Sequence, residues 1–283
     1  MTETNARKGR GKIVLSFDLE YWYCGIYLTK YLPPDKSKLV KIYPEATKRI
    51  LNLLNQYQAK ATFFVLGQLA QEDPLLIREI SRQGHEIALH SLNHELVSAL
   101  KPEEFTDKIK EAKKILTDIT GQQPIGFRAP NFSILEKETW PFTVLAENNF
   151  KYDSSVFPFV TDKWGETKIG PYRPLESSDL KEYPIATYKL LGFNFPLGGG
   201  IYFRLIPYPL FTFLLKRLIG RGIIPVLYFH PADLTDFIPD LKIPWLLKTI
   251  KYWGVKKSFK KFERLLKDFI AVSIKQIDEN TTN

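Results

Sequence analysis

Short apolar runs alternate with amphipathic stretches of helical period along most of this 283-residue chain, and that alternation admits few folds. Lys12–Phe17 (KIVLSF), Ala61–Leu66 (ATFFVL), His85–His90 (HEIALH) and Ile125–Arg128 read as strands, with Ile185–Leu190 and Pro225–Phe229 further on. Between them lie helical patterns over Pro44–Gln58, Pro74–Gln83, Pro102–Thr120, Glu138–Asn148 and Pro209–Ile219. Proline opens several of these helices. Glycine closes two, at Gly84 and Gly121, as helix chemistry favours. Ser258–Lys275 reads as a last amphipathic helix. Strand, loop, helix in repetition implies an α/β fold: a parallel sheet with helical cover. No period of roughly 20–50 residues recurs, so a solenoid is not expected. No Gly/Ser linker divides the chain. The expectation is a single domain over residues 1–283, with a flexible tail over 1–11 and a C-terminal helical extension over 240–283.

Charge is unevenly placed. Lysine and arginine number 40 against 31 acids, a net of +9. Residues 248–268 carry eight bases and two acids, and residues 1–12 carry four bases and one acid, so these segments hold +6 and +3. The body of the chain is balanced. A basic excess confined to two short segments, without aromatics interleaved on a sheet or a groove-reading motif, argues against nucleic acid as the partner. The lone Cys24 excludes an intramolecular disulfide framework and a Cys-rich zinc site. No apolar h-region follows the charged start, and the longest apolar run, Leu205–Leu215, is broken by Pro207 and Pro209. The expected location is therefore cytoplasmic, with the inner face of the membrane as a refinement.

In closed parallel α/β sheets the active site lies at the carboxyl ends of the strands. The polar residues of this sequence fall there. Asp18 and Glu20 follow the first strand, His90 ends another, Arg128 follows a third, and His230 follows the last in Tyr228-Phe229-His230. His94 comes four residues after His90. If a helix or turn starts there, both imidazoles face one way and can grip one divalent ion. The HxxxH spacing alone is a weak signal. Six polar residues at strand ends are harder to attribute to separate structural needs.

These residues resemble the motif set of the polysaccharide deacetylases, the NodB-homology or carbohydrate esterase family 4 group. SFDLEYW, GHEIALHSLNH, GFRAPNFSI, YDSSVFP, FPLGGGIYFR and YFHPAD stand in an order similar to that of an exopolysaccharide-associated bacterial branch. The resemblance spans about residues 12–270. It implies a distorted (β/α) barrel of seven parallel strands. It also implies a divalent ion, zinc above others, held by one carboxylate and two imidazoles, here His90 and His94. The common family motif has two adjacent aspartates, a base and then a ligand, whereas this chain has Asp18-Leu19-Glu20. Asp18 is assigned as general base and Glu20 as ligand; exchange of the two roles stays open, because residues two apart on a strand share a face. His230 would be the general acid and Arg128 would pair with Asp18 and orient it. The amide of Asn131, after Arg128-Ala129-Pro130, would meet the oxyanion.

Other residues carry weaker expectations. Asp153 either lines the site and tunes His230 or caps a loop. Tyr202 and Trp22 are candidate sugar-stacking faces. Gly198-Gly199-Gly200 lacks the Lys-Ser/Thr of a phosphate loop and reads as a turn that lets backbone approach a sugar. His85 reads as structural and Cys24 as inert. The resemblance implies a metal-dependent hydrolase that removes the N-acetyl group of hexosamine units in a polysaccharide or its lipid-linked precursor. The alternatives are a metal-independent C–N hydrolase of the allantoinase-like branch and an inactive carbohydrate-binding relative. The expected partner is an N-acetylated glycan. The basic segment Lys248–Asp268, with Tyr252 and Trp253 among its lysines, offers a docking face for an anionic membrane surface.

Overall fold

The computed structural model describes residues 10–134, 138–158, 171, 173–175, 177–190 and 193–281. The tail expected over 1–11 lies outside these except for its last two residues. In chain order the elements are β1 (Lys12–Leu19), α1 (Tyr43–Gln56), β2 (Thr62–Val65), α2 (Gly67–Glu72), α3 (Pro74–Arg82), β3 (Glu86–Leu89), α4 (Pro102–Thr120), β4 (Gly126–Phe127) and α5 (Trp140–Glu147). There follow β5 (Tyr152–Asp153), β6 (Lys181–Glu182), β7 (Thr187–Leu190), β8 (Phe193–Pro196), α6 (Gly200–Leu205), α7 (Tyr208–Ile219) and β9 (Val226–Phe229). The described chain closes with α8 (Trp245–Tyr252), α9 (Val255–Asp268), β10 (Ile270–Val272) and α10 (Ile274–Thr281).

Local chemistry sets the helix ends. The Asp73 carboxylate accepts a bond from Leu76 N at 3.2 Å and opens α3. Lys101 N donates to the Glu104 carboxylate at 3.1 Å at the start of α4, and Gly121, at φ 72°, closes it in a left-handed turn. The strands are apolar on both faces because core fills one side and helices cover the other. In β1, Phe17 stacks on Phe63 of β2 with ring centroids 5.0 Å apart and meets Phe262 of α9 edge-on at 6.0 Å.

Strands β9-β1-β2-β3-β4-β5-β6 pair in parallel in that order. The sheet curls, with helices outside, into the distorted (β/α)7 barrel expected from the sequence. The gap between β6 and β9 is bridged by a loop: Ala186 N bonds Val226 O at 2.9 Å and Gly199 N bonds Tyr228 O at 3.1 Å.

Four features depart from the sequence reading. The run at 185–190 forms an antiparallel hairpin, β7 with β8, rather than a strand of the parallel sheet. Two-residue β5 and β6 take that place. The segment expected as one helix over Ser258–Lys275 breaks at Phe269, and β10 pairs in parallel with Lys12–Val14. Because β9 overlaps that stretch on the opposite edge, β10 shares an edge of β1 with β2; Lys60 N, just before β2, bonds Ala271 O at 3.1 Å. The C-terminal 240–283 region is thus part of the sheet and not only helical. Finally, α2 and α6 are additional helices, while α8 and α10 lie within the expected helical extension. Among the described residues no helix is long and apolar enough to cross a membrane.

Candidate active site

Parallel pairing lines up the carboxyl ends of β1, β3, β4 and β9, and each delivers its polar residue to one rim. Asp18 lies in β1 opposite Phe64 of β2, and Glu20 follows the end of β1. His90 N bonds Val65 O and Arg128 N bonds Leu89 O, so both side chains start from sheet-anchored backbone.

Glu20, His90 and His94 converge: their ligand atoms all lie within 4.8 Å of one another. Glu20 Oε2 is 2.7 Å from His94 Nε2 and 3.3 Å from His90 Nε2. The Nδ1–H of His90 donates to the carbonyl of Arg128 at 2.8 Å, which turns Nε2 toward the Glu20 carboxylate. A metal ion bound by Nε2 and that oxygen would replace the contact between them. Two imidazole nitrogens and one carboxylate oxygen form a donor set suited to a divalent transition ion. The residues therefore fit the implied metal.

The expected helix or turn after His90 takes a particular form. Ser91 and His94 both have positive φ, 68° and 65°, and the Ser91 hydroxyl accepts from His94 N at 3.0 Å. A left-handed loop, not a helix face, turns His94 back toward His90. Such conformations are uncommon for non-glycine residues and cluster at functional sites.

On one side of the cluster stands Asp18. Its Oδ1 accepts from Arg128 Nη1 at 2.7 Å. The guanidinium is fully buried, and each of its three nitrogens donates. Nη1 also donates to Ser16 Oγ at 2.9 Å, Nε to Ser154 O at 3.0 Å and Nη2 to Ser154 Oγ at 2.8 Å, and the group lies 4.0 Å from the centre of the Phe64 ring. On the other side stands His230, whose Nε2 is 3.4 Å from Glu20 Oε1. Its Nδ1 bonds Asp233 Oδ2 at 3.1 Å, and Asp233 is held in turn by Arg204 Nη1. Burial alone would lower the His230 pKa, but Glu20, then Asp233 and Asp18, outweigh it and raise the value to about 9. Burial would likewise raise Glu20, but His230 and the bonds from His90 and His94 hold its carboxyl well below the usual range.

Asp233 and Arg204 were not singled out in the sequence reading. The signal for Asp233 was present: an acid three residues after His230, reaching back to bond His230 N at 3.0 Å as a helix cap does. Arg204 has no local signal, since it comes from α6, 29 residues away.

The remaining candidates are placed differently from one another. Asn131, at φ 52° in a turn after β4, lines a cavity of about 560 Å³ together with His94, Tyr21, Tyr23, Cys24 and Glu72. Pro130 is buried beneath it. Burial pushes the Cys24 thiol up, consistent with an inert side chain. Asp153 neither lines that cavity nor bonds His230. It caps its own loop, accepting from Ser155 N at 3.0 Å and Ser155 Oγ at 2.6 Å, and Ser155 Oγ accepts from Ala129 N at 2.8 Å. Buried Glu182 lies beside it. Burial raises both carboxyls, and the charge of Asp153 raises Glu182 further. Through Ser155, the Asp153 loop is tied to Ala129, the residue after Arg128.

Trp22 sits outside the cavity, donating from Nε1 to Val40 O at 2.9 Å with its ring against Tyr23 and Phe237. Tyr202 packs on Phe157. Gly198 and Gly200 permit close packing within the protein. A Cβ on Gly198 would stand 2.2 Å from Ile185, and one on Gly200 would stand 2.0 Å from Asp233 Cγ. Gly199 has φ 105°. His85 is buried at the opposite end of β3 with its ring edge-on to Phe63, as expected of a structural residue.

A curled parallel barrel with a carboxylate and two imidazoles at its carboxyl rim defines the class: an α/β barrel with a metal-type site. A family profile described as "Polysaccharide deacetylase" matches residues 6–148, about half of the chain, and the chain belongs to that family. A second profile, a domain of unknown function (DUF3473), matches residues 154–279, which supply β6, β9 and β10 to the same sheet. A peptidoglycan-N-acetylglucosamine deacetylase of Bacillus cereus is 34% identical over 103 residues, 34% of this chain and 48% of that protein. A chitooligosaccharide deacetylase of Bradyrhizobium is 35% identical over 88 residues, 31% of this chain and 40% of that protein. The matches thus span half or less of these relatives. A solved Mycobacterium smegmatis structure assigned to the polysaccharide deacetylases covers 96% of this chain and 91% of its own, with a TM-score of 0.61 at 20% identity, a likeness of fold.

Proposed function

We propose that the chain hydrolyses the N-acetyl amide of hexosamine units in a polysaccharide or its lipid-linked precursor, releasing acetate. A divalent ion, zinc before others, is held by Glu20, His90 and His94. The observation that carries this reading is the convergence of those three donors within 4.8 Å at the strand ends, between the Asp18–Arg128 pair and the His230–Asp233 pair. A metal ion bound there supplies Lewis-acid polarisation of the amide carbonyl and acidifies water.

The chain's own groups supply the proton transfers. Asp18, fixed by Arg128, accepts the proton of the attacking water. The backbone amide of Asn131 donates to the developing oxyanion. His230, with Nδ1 engaged by Asp233, presents Nε2 to the departing amine and gives it the proton that completes C–N cleavage. Names of the similar proteins support N-acetylhexosamine as the substrate unit, and the motif order supports an exopolysaccharide as the glycan. The convergence of Glu20, His90 and His94 gives no support to a metal-independent alternative.

The test is acetate release by the purified chain from a panel of N-acetylhexosamine oligomers, with Asp18→Asn and His230→Ala alongside. Acetate from the wild type and a loss of about 10²-fold or more in each variant is expected. Full activity in both variants would remove the assigned roles.

A further inference from the structure

We propose that α8 is an interfacial helix that docks the protein on an anionic lipid bilayer beside the active-site mouth. The helix is built the wrong way round for a protein surface. None of its residues is buried. At 100° per residue, Trp245, Leu246, Ile250 and Trp253 fall within an arc of about 140°, and this apolar arc faces solvent: Trp245 is 77% exposed, Leu246 55%, Ile250 46% and Trp253 59%. Together they show roughly 500 Å² of apolar surface, at the upper end of what a soluble monomer presents.

Charge says what covers this face. The 22 residues 241–262 contain seven lysines and no acid. Lys248 is exposed on α8, and Lys256, Lys257 and Lys260 are exposed on α9, whose buried face is Val255, Ser258, Phe262, Leu265 and Leu266. Lys261 is excluded from this set, since its ammonium turns inward to the carbonyls of Phe203 and Ile206. Exposed tryptophan and aliphatic residues on one face of a helix, with exposed lysines on that helix and the next, is the composition of a segment lying in a lipid interface. A phosphate backbone would have no use for Leu246 and Ile250.

The position of α8 connects docking to the site. Arg204, which holds Asp233, also donates from Nη2 to Lys251 O at 2.6 Å and from Nε to Trp253 O at 3.1 Å. The same guanidinium therefore caps the end of α8 and anchors the partner of His230. Ile26 and Tyr27, both exposed, lie on the adjacent loop, where Gly25 approaches the Lys251 ammonium. That the docked site would meet a glycan displayed at a membrane rests on the deacetylase reading; the docking itself does not.

Vesicle co-sedimentation of the full chain tests the proposal without reading activity. The wild type is expected to sediment with vesicles containing phosphatidylglycerol, less with phosphatidylcholine alone, and less as salt rises. The exposed-face variant Trp245→Ser/Leu246→Ser/Ile250→Ser should keep the wild-type melting temperature and bind about tenfold or more weakly. Lys248→Gln/Lys256→Gln/Lys257→Gln should lose the preference for the anionic lipid. No binding to either vesicle, or binding unchanged in both variants, would overturn it. So would a wild-type dimer that the triple serine variant converts to monomer without any lipid binding, since a second copy would then be the occupant.

Discussion

Arg128 is the residue on which the site's geometry depends most, and its contribution can be measured. The guanidinium is fully buried and donates four hydrogen bonds, to Asp18, Ser16 and twice to Ser154. In Arg128→Met, Asp18 loses its cationic partner inside the protein, and removing one member of a buried pair costs about 3–5 kcal/mol. Asp18→Asn is milder. The amide oxygen still accepts from the guanidinium, so an ion pair becomes a bond between a charge and a dipole at a cost of about 1–2 kcal/mol. With both changes no buried carboxylate is stranded, so the double variant should be less destabilised than the sum of the singles by about 1–3 kcal/mol. Urea unfolding followed by fluorescence and circular dichroism, with coincident transitions and equal m-values, reads each term. Costs that add to within about 0.5 kcal/mol would show that the pair does not interact as described.

Other consequences are open to direct measurement. Asp233→Asn should lower kcat about 10–100-fold with little change in KM, because it weakens the orientation of His230 rather than substrate contact; equal kcat would detach Asp233 from the reaction. Gly200→Ala places a Cβ 2.0 Å from Asp233 Cγ. It should cost about 1–3 kcal/mol of stability and lower activity together, whereas a neutral effect would contradict the close packing there. Burial, with Lys60 nearby, lowers the His85 pKa from 6.5 to about 4. The unfolded chain therefore takes up a proton that the folded one refuses, and stability is lost as pH falls from about 6.5 to about 4. Removing this group in His85→Phe should shrink the loss of unfolding free energy between pH 7 and pH 4.5 by about 2–3 kcal/mol, and an unchanged pH dependence would refute the assignment.

Much of the architecture was written locally in the sequence. Helices α3 and α4 are bounded by proline at the start and glycine at the end, so their limits could be read almost to the residue. Asp18, Glu20, His90, Arg128 and His230 were legible because parallel strands send their carboxyl ends to one rim. What escaped depended on contacts distant in sequence. Strands β5 and β6 are two residues long and have no periodicity to detect. Strand β10 follows α9 so closely that the apolar pattern ran on across Phe269, and only pairing with β1, some 250 residues earlier, makes it a strand. Arg204 joins the site from α6, and Asp153 is tied through Ser155 to the residue after Arg128 instead of facing His230, a distinction set by side-chain direction. Of the helix or turn that the HxxxH spacing allowed, the chain takes the turn, and positive φ at Ser91 and His94 brings the two imidazoles together.

Metal content and acetate release, measured on the same preparations, test the central claim most directly. The wild-type chain should carry about one equivalent of divalent metal, lose acetate release on chelation and regain it when zinc is restored. Glu20→Ala and His94→Ala should each lower metal affinity and acetate release in step. Acetate release that persists in the chelated protein, or in variants that have lost the metal, would contradict the account.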